Sequence, residues 1–98
     1  MEKTKTVPKN EKKLKEPCDY RIILLNDNYT TTDFVVDVLK AVFHKSEIEA
    51  NRIMLNVHRK GKGIVGQYPF DIAQTKVDQV HRLARQAAFP LKCIIEEV

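Results

Sequence analysis

The chain has 98 residues and a mass of 11.3 kDa, which leaves room for one small domain. Hydrophobic residues make up 43% and charged residues 31% of it, a balance typical of a soluble globular domain. No apolar run approaches the roughly 20 residues of a membrane span, and the Lys-rich start lacks the apolar region of a secretory signal. We therefore expect a cytoplasmic protein without membrane contact.

Catalytic and metal-binding motifs are absent from the sequence. Cys18 and Cys93 lie far apart, which argues against a disulfide scaffold or a cysteine zinc site, and His44, His58 and His81 lack metal-ligand spacing. No phosphate-binding loop or nucleophile elbow occurs. A chain this short has little left for a deep active site once its core is built. We expect a monomeric binding module rather than an enzyme, with no cofactor and no metal.

The positive charge is concentrated at the start of the chain. The net charge is +4, of which residues 1–16 carry +3 and the remaining residues only +1. Residues 1–17 are rich in lysine, poor in apolar side chains and interrupted by two prolines, so we predict a flexible N-terminal extension followed by a domain at 18–98. A basic protein suggests an acidic partner such as nucleic acid, but the near-neutral body weakens that interpretation.

The first half of the body predicts one strand and one helix. The run Tyr20–Leu25 is mostly apolar with β-branched and aromatic members, typical of a buried strand, and 26–28 (Asn-Asp-Asn) favours a turn. One of the threonines at 30–32 caps the following helix. The polar positions of that helix recur at helical spacing and form one solvent-exposed stripe: Asp33, Asp37, Lys40 and His44.

Capping and helix-stop residues predict the bounds of the second helix, and the next strand follows it. Ser46 and Glu49 form a capping box at the helix start, and Gly61 suits a left-handed stop at its end. Residues 63–66 read as a short strand.

The last third of the chain predicts a helix and a closing strand. Pro69 fits the first turn of the helix, and Pro90 ends it. Apolar residues repeat along it at steps of four and three: Ala73, Val77, Val80, Ala84 and Ala87. Alternation of Leu91, Cys93 and Ile95 with more polar neighbours then predicts a strand. The order β-α-α-β-α-β implies an α+β fold with three helices packed on a small, three-stranded, mainly antiparallel sheet.

A polar turn before an apolar helix is the most informative feature of the body. The turn spans 26–30, and in the second helix Met54 and His58 lie four residues apart and share one face. His58 thus sits at the edge of an apolar stripe near the helix end. Two interpretations stay open from the residues alone: a histidine bonded to a neighbouring turn for stability, or part of a binding site.

Four blocks of sequence resemble one known family. They are Leu-Asn-Asp-Asn-Tyr-Thr at 25–30 with Asp-Phe-Val at 33–35, then 54–62, 73–77 and 89–93. In this order and spacing they resemble ClpS, the adaptor that recognises bacterial N-degrons and delivers them to the ClpA-type AAA+ unfoldase and its ClpP peptidase. The resemblance covers about residues 19–98. It implies three helices against a three-stranded sheet, in agreement with the element order above.

The resemblance implies a site for a protein N-terminus with a bulky first residue (Leu, Phe, Tyr or Trp). Its α-amino group would be held by a polar set: Asn26, Asp27, Asn28 and His58. A free α-amino group has a pKa of about 7.7–8.0 and is mostly an ammonium at neutral pH, so it needs acceptors. Asn26 offers a carbonyl and neutral His58 a ring nitrogen. The family has an acid where this chain has Asn28, which accepts without charge assistance, while Asp27 supplies charge next to it.

The resemblance also implies an apolar pocket for the first side chain. Its walls would be Thr30, Thr32, Val35, Met54, Val57 and Leu91; for Val35, Val57 and Leu91, plain core packing is the alternative. Where the family typically has a Met that disfavours β-branched first residues, this chain has Thr32. We therefore expect Ile and Val N-termini to be tolerated better than usual.

The partners implied by the resemblance are N-degron peptides and the N-terminal domain of a ClpA-type unfoldase. Asp71 and Lys76 match the unfoldase-docking surface; a solvated helix face is the alternative. The extension would be engaged by the unfoldase during delivery, and deleting residues 2–16 would block degradation but leave peptide binding intact. The alternative function, with nucleic acid rather than a peptide as partner, is a small basic nucleic-acid- or ribosome-associated domain.

Overall fold

The computed structural model describes residues 20–98, so the predicted extension and Cys18 lie outside the described residues. The elements are β1 (Tyr20–Leu25), α1 (Thr32–Ala41), α2 (Glu47–Lys60), β2 (Lys62–Tyr68), α3 (Phe70–Gln86) and β3 (Lys92–Glu97). This is the predicted β-α-α-β-α-β order. The first strand has the predicted bounds, whereas β2 extends beyond 63–66 at both ends because it pairs with β1 along its whole length.

The sheet is antiparallel, and β1 is its central strand. The strand order is β2-β1-β3, so both neighbours of β1 follow it in the chain. Ile22 and Leu24 are fully buried and join residues from all three helices in one core. The α+β prediction is therefore confirmed, with the helices packed on the face of the sheet that Ile22 and Leu24 occupy.

Helix α1 begins as predicted but ends earlier. Thr31 is the N-cap, and its hydroxyl accepts from the Phe34 N–H at 3.2 Å. The prediction that His44 continues the polar stripe of this helix is wrong. His44 has a left-handed φ of 56°, and the Lys45 N–H reaches back to the Leu39 carbonyl at 3.1 Å, which closes the helix.

Helix α2 has both predicted ends. The Ser46 hydroxyl accepts from the Glu49 N–H at 3.2 Å. Gly61 adopts a left-handed φ of 88°, and its N–H donates to the Val57 carbonyl at 3.0 Å. The chain therefore turns sharply out of α2 and enters β2 directly.

Helix α3 starts later and ends earlier than predicted. Pro69 is its N-cap rather than a residue of the first turn. The helix ends at Gln86 because Ala88 adopts a left-handed φ of 63° and the Phe89 N–H donates back to the Ala84 carbonyl, so the break precedes Pro90. Ala87 is exposed rather than part of the apolar repeat. Within residues 20–98, no helix is long and apolar enough to cross a membrane.

Candidate functional site

A cavity of about 240 Å³ opens where the β1–α1 loop meets the last turns of α2. Its lining contains every residue predicted for the site except Leu91: Asn26, Asp27, Asn28, Thr30, Thr32, Val35, Met54, Val57 and His58. The loop supplies the polar residues, α1 supplies Thr32 and Val35, and α2 supplies the rest. Residues 19 positions or more apart in sequence thus meet because α1 and α2 pack side by side.

Asp27 organises the polar loop. One of its carboxylate oxygens accepts from the backbone N–H groups of Tyr29 at 2.8 Å and Thr30 at 2.7 Å, and the other accepts from the Thr30 hydroxyl at 2.7 Å. Burial raises the pKa of the Asp27 carboxyl, but these three hydrogen bonds outweigh it and the net pKa lies below the ordinary value. Asp27 is therefore ionised at neutral pH, and its charge is held inside the loop.

A backbone hydrogen bond ties this loop to the end of α2. The Asn26 N–H donates to the Gly61 carbonyl at 2.9 Å. Asn26, Asn28 and His58 are exposed at the cavity rim, and within residues 20–98 their side chains make no hydrogen bonds to one another or to other groups. Their acceptor atoms are therefore available to an incoming donor, which favours the binding interpretation of His58 over the stabilising one.

The wall of the cavity is apolar. Val35 and Val57 are buried members of the core, and Met54 is half-buried against them. Both interpretations of the two valines hold, because each packs in the core and also lines the cavity. Thr30 and Thr32 complete the wall with short side chains, and the flexible thioether of Met54 can adapt to the shape of an occupant.

Gly63 supports the wall from behind, a role that the sequence motifs did not reveal. A Cβ at this position would lie 2.9 Å from Val57 Cγ2 and 3.3 Å from the Ile53 carbonyl oxygen. Strand β2 can approach α2 this closely only because residue 63 has no side chain. The available signal was a glycine inside a predicted strand, which often marks a close backbone approach.

Gly63→Ala is expected to lower both stability and affinity at the cavity. The added methyl group overpacks the contact with Val57, which costs about 1–3 kcal/mol of folding free energy and moves the cavity wall. Thermal unfolding and peptide titration measure the two effects. Gly66→Ala is the matched control, because its Cβ would also meet an atom at 2.9 Å, but on Tyr68 outside the cavity. Equal peptide affinity in the two variants would contradict the role assigned to Gly63.

Leu91 lies outside the cavity. It is buried in the core just before β3 and borders a separate cavity with Phe89 and Pro90. Leu91 packs in the core, and its assignment to the apolar pocket stays a prediction from the resemblance.

Asp71 and Lys76 differ in their surroundings. Asp71 is exposed in the first turn of α3. Lys76 is half-buried: its Nζ donates to the Val42 carbonyl at 2.9 Å and lies 5.7 Å and 5.5 Å from the ring centres of Phe43 and Tyr68. The Lys76 ammonium therefore stabilises the C-terminal end of α1, in addition to any contact it makes with a partner.

His81 and Cys93 contribute to the structure and do not line the cavity at the β1–α1 loop. His81 Nε2 accepts from the Cys93 N–H at 3.1 Å, so α3 caps an edge position of β3. Burial, aided by the negative charge of Asp78, raises the pKa of the Cys93 thiol to about 12, so it is a neutral thiol at neutral pH. Across residues 20–98, no group of three or more His, Cys, Asp or Glu side chains could hold a metal ion.

Comparisons with known proteins agree on one family. The model of the ATP-dependent Clp protease adaptor protein ClpS matches residues 15–94. The chain is 57% identical to the ClpS adapter of Syntrophus aciditrophicus over 90% of this chain and 82% of that protein, and 53% identical to the adapter of Nautilia profundicola over 97% and 98%. The solved structure of Agrobacterium tumefaciens ClpS2 bound to L-phenylalaninamide is 42% identical, with a TM-score of 0.81 over 85% of this chain and 100% of that one.

Fold and cavity together define a small α+β binding module with an apolar wall and a polar rim. The comparisons make the class specific. The chain belongs to the ClpS family of ATP-dependent Clp protease adaptor proteins. It is accordingly a non-catalytic adaptor, and the adaptor prediction is confirmed over the nucleic-acid- or ribosome-associated alternative.

Proposed function

We propose that the cavity binds the first residue of an N-degron substrate, with the α-amino group at the rim and the side chain against the apolar wall. As a ClpS adaptor, the protein delivers such substrates to the ClpAP protease. The Agrobacterium relative is bound to L-phenylalaninamide, which has a free amino group, an aromatic side chain and an amide in place of the next peptide bond. That ligand has the chemistry of a peptide N-terminus.

The observation that carries the proposal is the junction of unpaired acceptors with an apolar wall. An ammonium has three donors and is costly to desolvate without acceptors. Asn26 and Asn28 offer amide carbonyls and neutral His58 offers a ring nitrogen, while the carboxylate of Asp27 adds negative charge beneath the rim. The cavity of about 240 Å³ is smaller than the roughly 300–1,000 Å³ of sites for drug-sized ligands, and it suits one side chain.

A set of peptides that differ only at their start tests the proposal. A Leu-initiated peptide with a free amine is expected to bind, and its N-acetylated form to lose affinity by about 100-fold or more, since the rim acceptors then face no charged donor. Fluorescence anisotropy measures both. The affinity of the free peptide depends only modestly on salt, in contrast to the steep dependence of a nucleic-acid binder. Equal binding of the acetylated peptide would refute the proposal.

Thr32 predicts a broad choice of first residue. Its short side chain leaves the cavity mouth open to the extra β-carbon branch of Ile or Val. We expect Ile-initiated peptides to bind within about tenfold of Leu-initiated ones, because a methylene-scale difference is worth roughly 1–3 kcal/mol. Thr32→Met should weaken the Ile peptide more than the Leu peptide. Complete rejection of the Ile peptide by the unmodified chain would contradict this prediction.

We propose that docking on the N-terminal domain of a ClpA-type unfoldase uses the start of α3. Asp71 presents an exposed carboxylate there, and Lys76 lies about one turn further along. Because the Lys76 ammonium already serves the end of α1, replacing it affects folding as well as docking, and Asp71→Ala is the cleaner test of the interface. The delivery role of residues 1–17, the monomeric state and the cytoplasmic location remain predictions from the sequence.

A further inference from the structure

The face of the sheet opposite the helices carries a row of three isoleucines. Side chains alternate along a strand, so Ile23 points away from the core that Ile22 and Leu24 occupy. Ile23 is aligned with Ile64 on β2 and with Ile94 on β3. Ile64 and Ile94 are 55% and 43% exposed, and within residues 20–98 no helix covers them. Ile23 between them is only 4% exposed, so the exposed apolar surface of the row lies on its two edge strands.

A groove of about 450 Å³ lies against the Ile23 and Ile64 end of this row, and Ile94 flanks it without lining it. It includes Ile23, Ile64 and the last two turns of α2, through Asn56 and Lys60. It shares no lining residue with the N-degron cavity and is therefore separate from it. We call the groove with its flanking strand residues the sheet groove.

Positive charge surrounds the sheet groove. Lys60 and Lys62 line it, and Lys62 and Lys92 both flank the central strand at Leu25. At the other end, Arg21 Nε lies 3.2 Å from Glu96 Oε1, and the two side chains form an ion pair. Arg21 is therefore already neutralised, and the net positive charge of the groove lining comes from Lys60 and Lys62.

Charge and shape together select the occupant. The face has four cations against one carboxylate, although residues 17–98 as a whole carry a net charge of only +1. We propose that the sheet groove docks an acidic peptide segment of a partner protein, whose aliphatic side chains lie on the isoleucine row and whose carboxylates pair with Lys60 and Lys62. This contact is independent of the N-degron cavity.

Other occupants fit the surface less well. A second copy of the chain would bring the same cations face to face, and the extension carries +3 over residues 1–16, so both would face repulsion. A nucleic acid strand would favour aromatic stacking platforms, whereas this row is aliphatic. An acidic, aliphatic segment satisfies both the charge and the apolar surface.

Titration of the full chain by two-dimensional NMR tests the proposal. The probe is the N-acetylated, C-amidated peptide Glu-Ile-Glu-Ile-Asp-Leu-Glu, whose blocked start keeps it out of the N-degron cavity. The chemical-shift changes that it causes in the amides of the protein should concentrate on the sheet groove. Two control peptides should bind at least about tenfold more weakly. One control has Lys for every acid, and the other has Ser for every aliphatic residue. Equal binding of the lysine peptide, or shifts elsewhere, would overturn the proposal.

Substitutions in the protein provide a second test of the docking proposal. The double variant Ile64→Thr and Ile94→Thr, and separately Lys62→Glu, should each weaken the acidic peptide about tenfold, while binding of a Leu-initiated peptide stays unchanged. Threonine is a good strand former, so the sheet is retained. Ile48→Thr is the matched control, since Ile48 is 77% exposed on α2 and outside the groove. Unchanged affinity in the groove variants would refute the assignment.

Two further measurements distinguish the rejected occupants. Concentration-dependent dimerisation in analytical ultracentrifugation that the Ile64→Thr and Ile94→Thr variant abolishes would show a second copy in the groove. A nitroxide on the full chain with Thr4→Cys and Cys18→Ser that broadens the amides of residues 64 and 94 would show the extension there. Either result overturns the proposal, and a monomer without such broadening supports it.

Discussion

His58→Ala is expected to weaken binding of a Leu-initiated peptide by about 10- to 100-fold without lowering the stability of the fold. A hydrogen bond to a charged group contributes about 1.5–3 kcal/mol, and the loss of one acceptor leaves an ammonium donor unpaired at the rim. The fold is spared because the His58 side chain is exposed and makes no hydrogen bond within residues 20–98. Anisotropy titration and thermal unfolding measure the two quantities.

The variant His58→Gln identifies the role of the imidazole. Glutamine keeps an uncharged acceptor at this position, so this variant should bind the Leu-initiated peptide more tightly than His58→Ala. His44→Asn is the matched control, because His44 is exposed at the end of α1 and outside the cavity. Equal affinities of the Gln and Ala variants would contradict the acceptor role.

Local signals in the sequence were sufficient for most of the fold. Strand β1, the Thr31 and Ser46 caps and the Gly61 stop each depend on a few adjacent residues. The errors occur where non-glycine residues adopt left-handed conformations. His44 and Ala88 end α1 and α3 in this way, and neither residue type signals a stop, so the prediction extended one helix and ended the other at Pro90.

In the candidate site, too, some contributions could be predicted from the sequence and others could not. The rim and wall residues belong to contiguous motifs, so the resemblance to the family is enough to predict the residues that line the cavity. Leu91 also belongs to a motif; its side chain is buried in the core and does not line the cavity, so its predicted pocket role stays a prediction. The contributions of Gly63 and of the Gly61 carbonyl depend on the distance between α2 and β2, a quantity that no single segment encodes.

Asp27→Ala is expected to reduce peptide affinity by about 30-fold or more, through the shape of the loop. The substitution removes the acceptor of two backbone N–H groups and of the Thr30 hydroxyl, each a hydrogen bond to a charged group worth about 1.5–3 kcal/mol. Without these three hydrogen bonds, the loop no longer holds Asn26 and Asn28 at the rim. Titration with the Leu-initiated peptide measures the loss, and Asp37→Ala, on the exposed face of α1, is the matched control.

Asp27→Asn separates positioning from direct charge. The amide keeps an oxygen for the two backbone donors, and the Thr30 hydroxyl can rotate to accept from its NH₂ group, so the loop persists without the charge. We expect this variant to bind within about fivefold of the unmodified chain, the scale of an exposed ion pair. A loss as large as that of Asp27→Ala would mean that the carboxylate acts on the ammonium itself.

The titration of Asp27 gives the same assignment an independent pH signature. Its folded pKa lies below the ordinary value of 3.8, so the carboxylate stabilises the loop fully above that pH, and the stabilisation is lost only as the pH falls through the lower folded value. Unfolding measured across this acid range should lose more stability in the unmodified chain than in Asp27→Asn, which keeps the lowered pKa of Glu47 but not that of Asp27. An equal loss of stability in the two proteins would exclude this role of Asp27.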